Sequence, residues 1–239
     1  MGALKSFGQF CPVAQAAEVV TERWTPLVIR EMLCGSRRFS EIQRGVPLMS
    51  RSLLSKRLRE LEHAGVVERR PLPGRGYAYH LTPAGEELRP LIIQLGIWGM
   101  RWAEHDLAAV PLDAALLMWD VRRRVRLDAL PKEPVVVRFH FPAASAGKRR
   151  WWLVLRAEEV DLCLHDPGHE VDLRVEADLR AFTEVWMGQR DLDRCLHEGD
   201  LRIDGPTDLR RAFPGWLQLN LFAELRDAAP LASRAPSDA

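Results

Sequence analysis

The chain has 239 residues, of which 47% are hydrophobic and 28% charged; these are ordinary values for a soluble globular protein, and the length allows two domains. The four cysteines are widely scattered and form no CxxC pair, so the sequence predicts neither a zinc ribbon nor a disulfide framework, and we expect no metal or other cofactor. No unbroken apolar stretch approaches the roughly 20 residues that span a membrane, and the N-terminus lacks a secretory signal, so we expect a cytoplasmic protein.

The formal net charge of +1 is unevenly distributed along the chain. Between Arg23 and Arg75 there are twelve basic and five acidic residues, a net charge of +7, which leaves the rest of the chain at −6. A compact basic segment in an otherwise acidic protein indicates a polyanionic partner.

The first part of the chain is predicted to form helices. Apolar residues recur at helical spacing in Pro12–Val20, and Thr25, followed by a proline, is typical of the N-cap of a second helix. A short helix is expected at Ser40–Arg44. Ser50 is well placed to cap a longer helix over Arg51–His63.

A β-hairpin and a long helix are predicted next. Val66–Leu72 and Tyr77–Leu81 are rich in β-forming residues and flank a glycine-rich tip. Thr82, followed by a proline, then caps a helix that continues to Trp102. This order of elements predicts a winged helix-turn-helix domain, which we assign to residues 1–110.

The second part of the chain is predicted to form a sheet packed by helices. Four successive runs alternate apolar and polar residues, which predicts an antiparallel sheet with one buried face: Val135–Phe141, Trp151–Arg156, Val160–His165 and Val171–Glu176. The other expected elements are a helix at Leu112–Leu130, short helices at Leu179–Met187 and Leu192–His197, a fifth strand at Leu201–Asp204 and a last helix at about Asp208–Leu225. The fold class is therefore α+β, with a second domain over residues 111–228 and a frayed tail, 229–239.

The helix after Ser50 carries the strongest functional pattern. Three leucines form its buried face, and its other side is basic and hydroxyl-bearing, as in a helix that enters the major groove of DNA. By itself the polar side of this helix could also be an ordinary solvated face. The basic hairpin favours DNA binding, because Arg75 at the hairpin tip could enter the minor groove and the basic residues of the hairpin arm could contact phosphates. The candidate DNA-binding residues are Arg38, Ser50, Arg51, Ser52, Ser55, Lys56, Arg59, Arg69 and Arg75.

Residues 8–105 resemble the HxlR-type winged-helix regulators. The matching segments, all in the family's order, are Cys11–Val13, Arg23–Leu27, Arg38–Ile42, Arg57–Glu62, Gly65–Val67 and Leu81–Gly85. The resemblance implies a homodimer, formed by the N-terminal and post-wing helices, that binds a pseudo-palindromic site in double-stranded DNA. The wing departs from the family pattern, since Gly74–Tyr79 replaces a longer arm that contains proline.

The second half resembles the sterol carrier protein type-two fold, through the order of its elements, the segment Val171–Val175 and the segment Leu192–Gly205. Such folds hold lipid-like molecules in an apolar tunnel between sheet and helices, so an apolar small-molecule effector is expected as a possible partner. The alternative is a core that these side chains simply fill, with the domain serving only for dimerisation. The candidate pocket residues are Phe139, Trp151, Leu153, Phe182, Trp186, Phe213, Trp216 and Phe222.

Two smaller groups of residues are better explained structurally. His165, Asp166 and His169, with Cys163 nearby, fit a metal site less well than a solvated turn, because Pro167 and Gly168 lie between them. Cys11 occupies a position where some relatives sense oxidants, but no basic neighbour in sequence indicates a lowered pKa, so an inert thiol is expected.

The leading hypothesis is a sequence-specific transcriptional regulator that is not an enzyme, and control by an apolar ligand is a further expectation. None of the common hydrolase, zinc-protease or nucleotide-binding motifs occurs in the sequence. The alternatives are a lipid carrier or modifying enzyme with a DNA-binding-like domain, and a regulator whose second domain only dimerises. We expect no membrane association.

Overall fold

The computed structural model describes residues 6–74, 76–103 and 110–225. The chain divides into two compact units between Gly96 and Ile97. The predicted tail, 229–239, lies outside the described residues, and the domain limits inferred from the sequence stay predictions.

The first unit combines helices with a two-stranded hairpin. Its elements are α1 (Pro12–Val20), α2 (Thr25–Leu33), α3 (Phe39–Gly45), α4 (Arg51–His63), β1 (Val67–Pro71), β2 (Tyr77–Leu81), α5 (Pro83–Glu86) and α6 (Arg89–Trp102), the last of which runs past Gly96. β1 and β2 pair antiparallel. The hairpin, the four helices predicted before it and the order of the elements are thus confirmed.

Two boundaries in this unit differ from the prediction. α2 begins at Thr25 itself, and its N-cap is Trp24, whose φ of 77° lies in the left-handed region. Thr82 does cap a helix, since Gly85 N–H donates to its Oγ1 (3.2 Å), but that helix, α5, ends after one turn. Pro90 explains the break, because proline has no N–H and would collide with the carbonyl of Glu86 in a continuous helix.

The core of the first unit joins α2, α3 and α4 to the hairpin. Its fully buried side chains include Val28, Ile29, Met32, Ile42, Leu54, Leu58, Leu61 and Val67. Each helix contributes positions three or four residues apart, so the amphipathic pattern of the sequence determines which face turns inward.

The second unit is a mixed sheet with helices. Its elements are α7 (Ala114–Arg123), a 3-10 helix (Leu127–Ala129), β3 (Val135–His140), β4 (Arg150–Leu155), β5 (Val160–Cys163), β6 (Leu173–Ala177), α8 (Leu179–Trp186), α9 (Leu192–Glu198), β7 (Leu201–Asp204), α10 (Thr207–Trp216) and α11 (Leu221–Leu225). The strand order is β5-β4-β3-β6-β7. The α+β class is confirmed.

The prediction of a purely antiparallel sheet was wrong at one pairing. β3 and β6 run parallel, with Val137 opposite Leu173 and Phe139 opposite Val175, whereas β3–β4, β4–β5 and β6–β7 are antiparallel. The chain leaves β5 at one edge and returns across the sheet before β6 begins, so β6 has the direction of β3. Alternation of apolar and polar residues has the same period in both kinds of pairing and cannot distinguish them.

Two predicted long helices are each interrupted by the same contact. Val125 forms an antiparallel bridge with Leu217, and Arg126 N–H donates to the carbonyl of Trp216 (2.8 Å). The helix predicted at Leu112–Leu130 therefore ends at Arg123, and the one predicted at Asp208–Leu225 divides into α10 and α11. A contact between segments some 90 residues apart leaves no local pattern in the sequence.

Candidate nucleic-acid interface

α4 presents one apolar face and one polar face. Leu54, Leu58 and Leu61 are buried in the core of the first unit. Ser55 is half-buried, and the other polar residues predicted to bind DNA are exposed: Ser50, Arg51, Ser52, Lys56 and Arg59. The structure therefore brings these six candidates together on one helix and its N-cap.

The start of α4 is set by Ser50. Its Oγ accepts the backbone N–H of Leu53 (3.3 Å) and lies 3.1 Å from Ser52 Oγ, which satisfies a helix-terminal donor and orders the first turn. Arg51 lies over the ring of Phe39, with its Cζ 5.5 Å from the ring centroid, so α3 supports this side chain. The N-terminus of α4 is thus ordered before any ligand arrives.

The basic residues in the middle of α4 differ in their ion pairs and hydrogen bonds. Lys56 Nζ lies 3.7 Å from Glu60 Oε1, a weak exposed pair. Arg59 makes no ion pair or side-chain hydrogen bond with the described residues and stays available for an external acceptor. Arg57 is buried instead: its guanidinium pairs with Glu60 and donates to Glu22 Oε2 (2.7 Å), which ties α4 to the segment before α2.

α3 and the wing provide further cations beside α4. Glu41 accepts the backbone N–H groups of Arg37 (2.8 Å) and Arg38 (2.9 Å), which fixes the start of α3 and leaves the Arg38 side chain exposed. Arg44, exposed in the last turn of α3, belongs to the same basic segment and was not singled out from the sequence.

In the wing, Arg69 lies over the ring of Tyr77, with Cζ 4.4 Å from the centroid, and its Nε is 3.7 Å from Glu62. Arg75, the predicted tip residue, lies outside the described residues.

The electrostatics of the hairpin agree with a basic surface. The pKa of His80 is lowered from its ordinary value by partial burial and by the positive charges of Arg70 and Arg37, against a smaller opposing effect of Glu68. Burial and the neighbouring positive charges both disfavour the charged form of His80, and the second of these effects agrees with a surface of positive potential.

The predicted pocket residues of the second unit lie together in its core. Phe139, Trp151, Leu153, Phe182, Trp186, Phe213 and Trp216 are all buried, and Phe222 is half-buried. The ring of Phe139 lies 5.7 Å from that of Phe182 and 6.1 Å from that of Phe213, between centroids. These rings pack against one another in the core of the second unit, which favours the closed-core alternative for this set of residues.

The possible metal ligands do not form a cluster. Among the residues that the structure describes, no group of three or more histidine, cysteine, aspartate or glutamate side chains is arranged to hold a metal ion. Asp166 instead accepts the N–H of Gly168 (2.9 Å) within its turn. Within the same ranges, no helix is long and apolar enough to cross a membrane.

Comparison with known proteins identifies relatives of the first part of the chain. The HxlR-like helix-turn-helix family model matches residues 19–107. The uncharacterized HTH-type transcriptional regulator YvaP of Bacillus subtilis is 36% identical over 99 residues, which are 40% of this chain and 92% of YvaP. The HTH-type transcriptional regulator YodB of the same organism is 33% identical over 97 residues, 39% of this chain and 87% of YodB. The solved structure of reduced YodB is 32% identical and covers 40% of this chain and 97% of its own, with a TM-score of 0.35.

A hairpin wing beside an exposed basic helix defines a winged helix-turn-helix protein that binds DNA. The chain belongs to the HxlR-like helix-turn-helix family, and it is a DNA-binding transcriptional regulator. The SCP-2 sterol transfer family model matches residues 134–218, so the resemblance of the second unit is confirmed as well.

Proposed function

We propose that this regulator binds a pseudo-palindromic operator as a homodimer, with α4 of each protomer in a major groove. The observation that carries the proposal is the exposed polar face of α4, on which Ser52, Lys56 and Arg59 lie opposite the buried leucines. A helix of this kind fits the major groove, where serine, lysine and arginine reach base edges and phosphates.

The candidate residues divide into two roles. Arg59 has a guanidinium free of partners among the described residues, so it suits a bidentate contact with a guanine edge. Arg38 at the start of α3 and Arg69 on the wing lie outside the recognition helix and suit phosphate contacts, which position the protein without selecting sequence. Arg75, at the wing tip, is proposed to enter the minor groove, where the negative potential attracts a guanidinium.

Apolar side chains left exposed on α1 and α6 support the homodimer. Leu91, Leu95, Trp98 and Trp102 follow one another along one face of α6 at intervals of four, three and four residues, and Trp98 and Trp102 are 59% and 73% exposed. On α1, Val13 is 75% exposed. Large apolar residues exposed in a row mark protein interfaces, and a second copy is the occupant implied by the family.

The second unit is proposed to have no enzymatic activity and to act within the dimer. The buried rings around Phe139 support a structural role for the space between sheet and helices rather than a lipid tunnel. Control by an apolar effector in that space stays a prediction. A cytoplasmic location is part of the proposal, because the DNA to be bound lies there.

The test is a binding titration of the full-length protein with duplexes from the DNA that flanks its own coding region. Arg59→Ala is expected to weaken binding to a selected site by about 1–3 kcal/mol and to relax its specificity. Arg211→Ala provides the matched control, because Arg211 is an exposed helical arginine of the second unit. Equal loss in Arg59→Ala and Arg211→Ala, or none in either, would contradict a base contact by Arg59; unchanged affinity and salt dependence in Lys56→Ala as well would exclude α4 as the reading helix.

A further inference from the structure

An open cleft lies on the face of the sheet opposite the buried rings. It has a volume of about 740 Å³ and is bordered by β3, β4, the loop between them and the segment after β5. Strand register places Arg138 opposite Trp152 and His140 opposite Arg150, and all four side chains line the cleft.

The lining of the cleft is strongly basic. Among the described residues that line it are Arg138, Arg149, Arg150 and two histidines, with Asp166 as the single acidic residue of this set. Asp166 accepts a hydrogen bond within its own turn, and Glu176 Oε2 lies 3.1 Å from His140 Nδ1. These two carboxylates therefore have partners other than the arginines of the cleft. Neither Arg138 nor Arg150 has a carboxylate partner among the described residues.

Two polar groups in the cleft wall have no acceptor in the described part of the chain. Trp152 is 6% exposed, and its Nε1 makes no hydrogen bond; the Nε of Arg138 is buried and unpaired as well. The neighbouring Trp151 is different, because its Nε1 donates to the carbonyl of Lys148 (2.8 Å). Buried N–H groups are rarely left without acceptors, so a pair of them in one cleft indicates a site for an acceptor-bearing ligand.

We propose that this cleft binds a small organic anion, a carboxylate or phosphate attached to a planar apolar body. The anionic head lies against Arg138 and Arg150, whose guanidinium groups present paired donors that match either head group. The apolar body lies against Leu164, which lines the cleft and is 41% exposed. This site is separate from the space between sheet and helices, and it does not depend on DNA binding by α4.

The shape of the cleft favours a small molecule over nucleic acid. The unpaired donors of Arg138 and Trp152 are buried within a concavity, whereas duplex phosphates lie on a convex surface and reach exposed side chains. Ligand sites combine apolar walls with a few convergent polar groups, as in this cleft.

The experiment is calorimetric titration of the full-length protein with 2-naphthoate, 2-naphthyl phosphate, neutral 2-naphthamide and inorganic phosphate. At least one of the two naphthyl anions is expected to bind tenfold or more tightly than both 2-naphthamide and inorganic phosphate, and the stronger anion identifies the head group. Arg150→Ala and Arg138→Gln are expected to weaken that binding at least tenfold, while Arg202→Ala, an exposed strand arginine of the same sheet outside the cleft, leaves it unchanged.

Arg150 is exposed at the start of β4, so its replacement keeps the test valid if Arg138→Gln fails to fold. The proposal is overturned if neither naphthyl anion binds, if the amide binds equally well, or if the arginine variants bind like the wild type. Weakened binding of a 20-base-pair duplex in Arg150→Ala, with unchanged binding of the naphthyl anions, would assign the cleft to nucleic acid instead.

Discussion

Replacing Arg57 separates the structural from the DNA-binding arginines of α4. Arg57 and Arg59 are two residues apart in the same helix, but Arg57 faces Glu22 and Glu60, whereas Arg59 is exposed. Arg57→Ala removes an ion pair on each side and a hydrogen bond to the carbonyl of Arg23 (3.4 Å). We therefore expect loss of stability from Arg57→Ala and loss of DNA affinity without loss of stability from Arg59→Ala.

The size of the stability loss expected from Arg57→Ala follows from how far its ion pairs are buried. Removing one partner of a fully buried ion pair costs roughly 3–5 kcal/mol, because an uncompensated charge is left behind. The Arg57 side chain is 10% exposed, but those of Glu60 and Glu22 are 27% and 45% exposed, so both carboxylates regain water when the guanidinium is removed. We expect a loss of about 2 kcal/mol, between the buried and the exposed limits. For a domain of this size that lowers Tm by about 8–16 °C.

The assay is calorimetric melting of the full-length wild type, Arg57→Ala and Arg59→Ala at the same concentration and salt. DNA affinity is then measured at a temperature where all three are folded, since unfolding by itself lowers apparent affinity. A melting transition of Arg57→Ala within 2 °C of wild type would refute the structural role of Arg57. A loss of stability in Arg59→Ala as large as that in Arg57→Ala would refute the division of roles.

Three further predictions follow from other parts of the structure. Leu95→Arg places a charge on the exposed apolar face of α6 and should give a monomer by light scattering at micromolar concentration; a wild type that is already monomeric contradicts the proposed dimer. Gly85→Ala should destabilise the first unit by roughly 1–3 kcal/mol in denaturant unfolding, because an added Cβ would lie 2.2 Å from the carbonyl oxygen of Val66. Gly99→Ala is the control: an added Cβ there has nothing within 4 Å, so the substitution should be neutral or stabilising. Burial raises the pKa of the Cys195 thiol, so its reactive thiolate is scarce at pH 8. Iodoacetamide should therefore modify exposed Cys34 before Cys195, and equal rates of modification at the two cysteines would contradict the burial of Cys195.

Local patterns were sufficient for the helices that carry the candidate interface. Ser50 as N-cap and the leucines at 54, 58 and 61 define α4 and its buried face without reference to the rest of the chain. The order of segments also predicted the family, and the match of the HxlR-like family model to residues 19–107 confirms it. The helix pattern did not distinguish buried Arg57 from exposed Arg59, because Glu22, one of the two carboxylate partners of Arg57, comes from another segment.

The sequence by itself determined the two kinds of fold, the amphipathic faces and the basic segment, because these depend on residues close together in the chain. Only the tertiary structure decided the parallel pairing of β3 with β6 and the bridge from Val125 to Leu217, because both join segments far apart in sequence. The same holds for the packing of the aromatic rings around Phe139 and for the basic cleft. Arginine and histidine at outward strand positions were visible in the sequence, but strand register was needed to bring Arg138, His140 and Arg150 to one place.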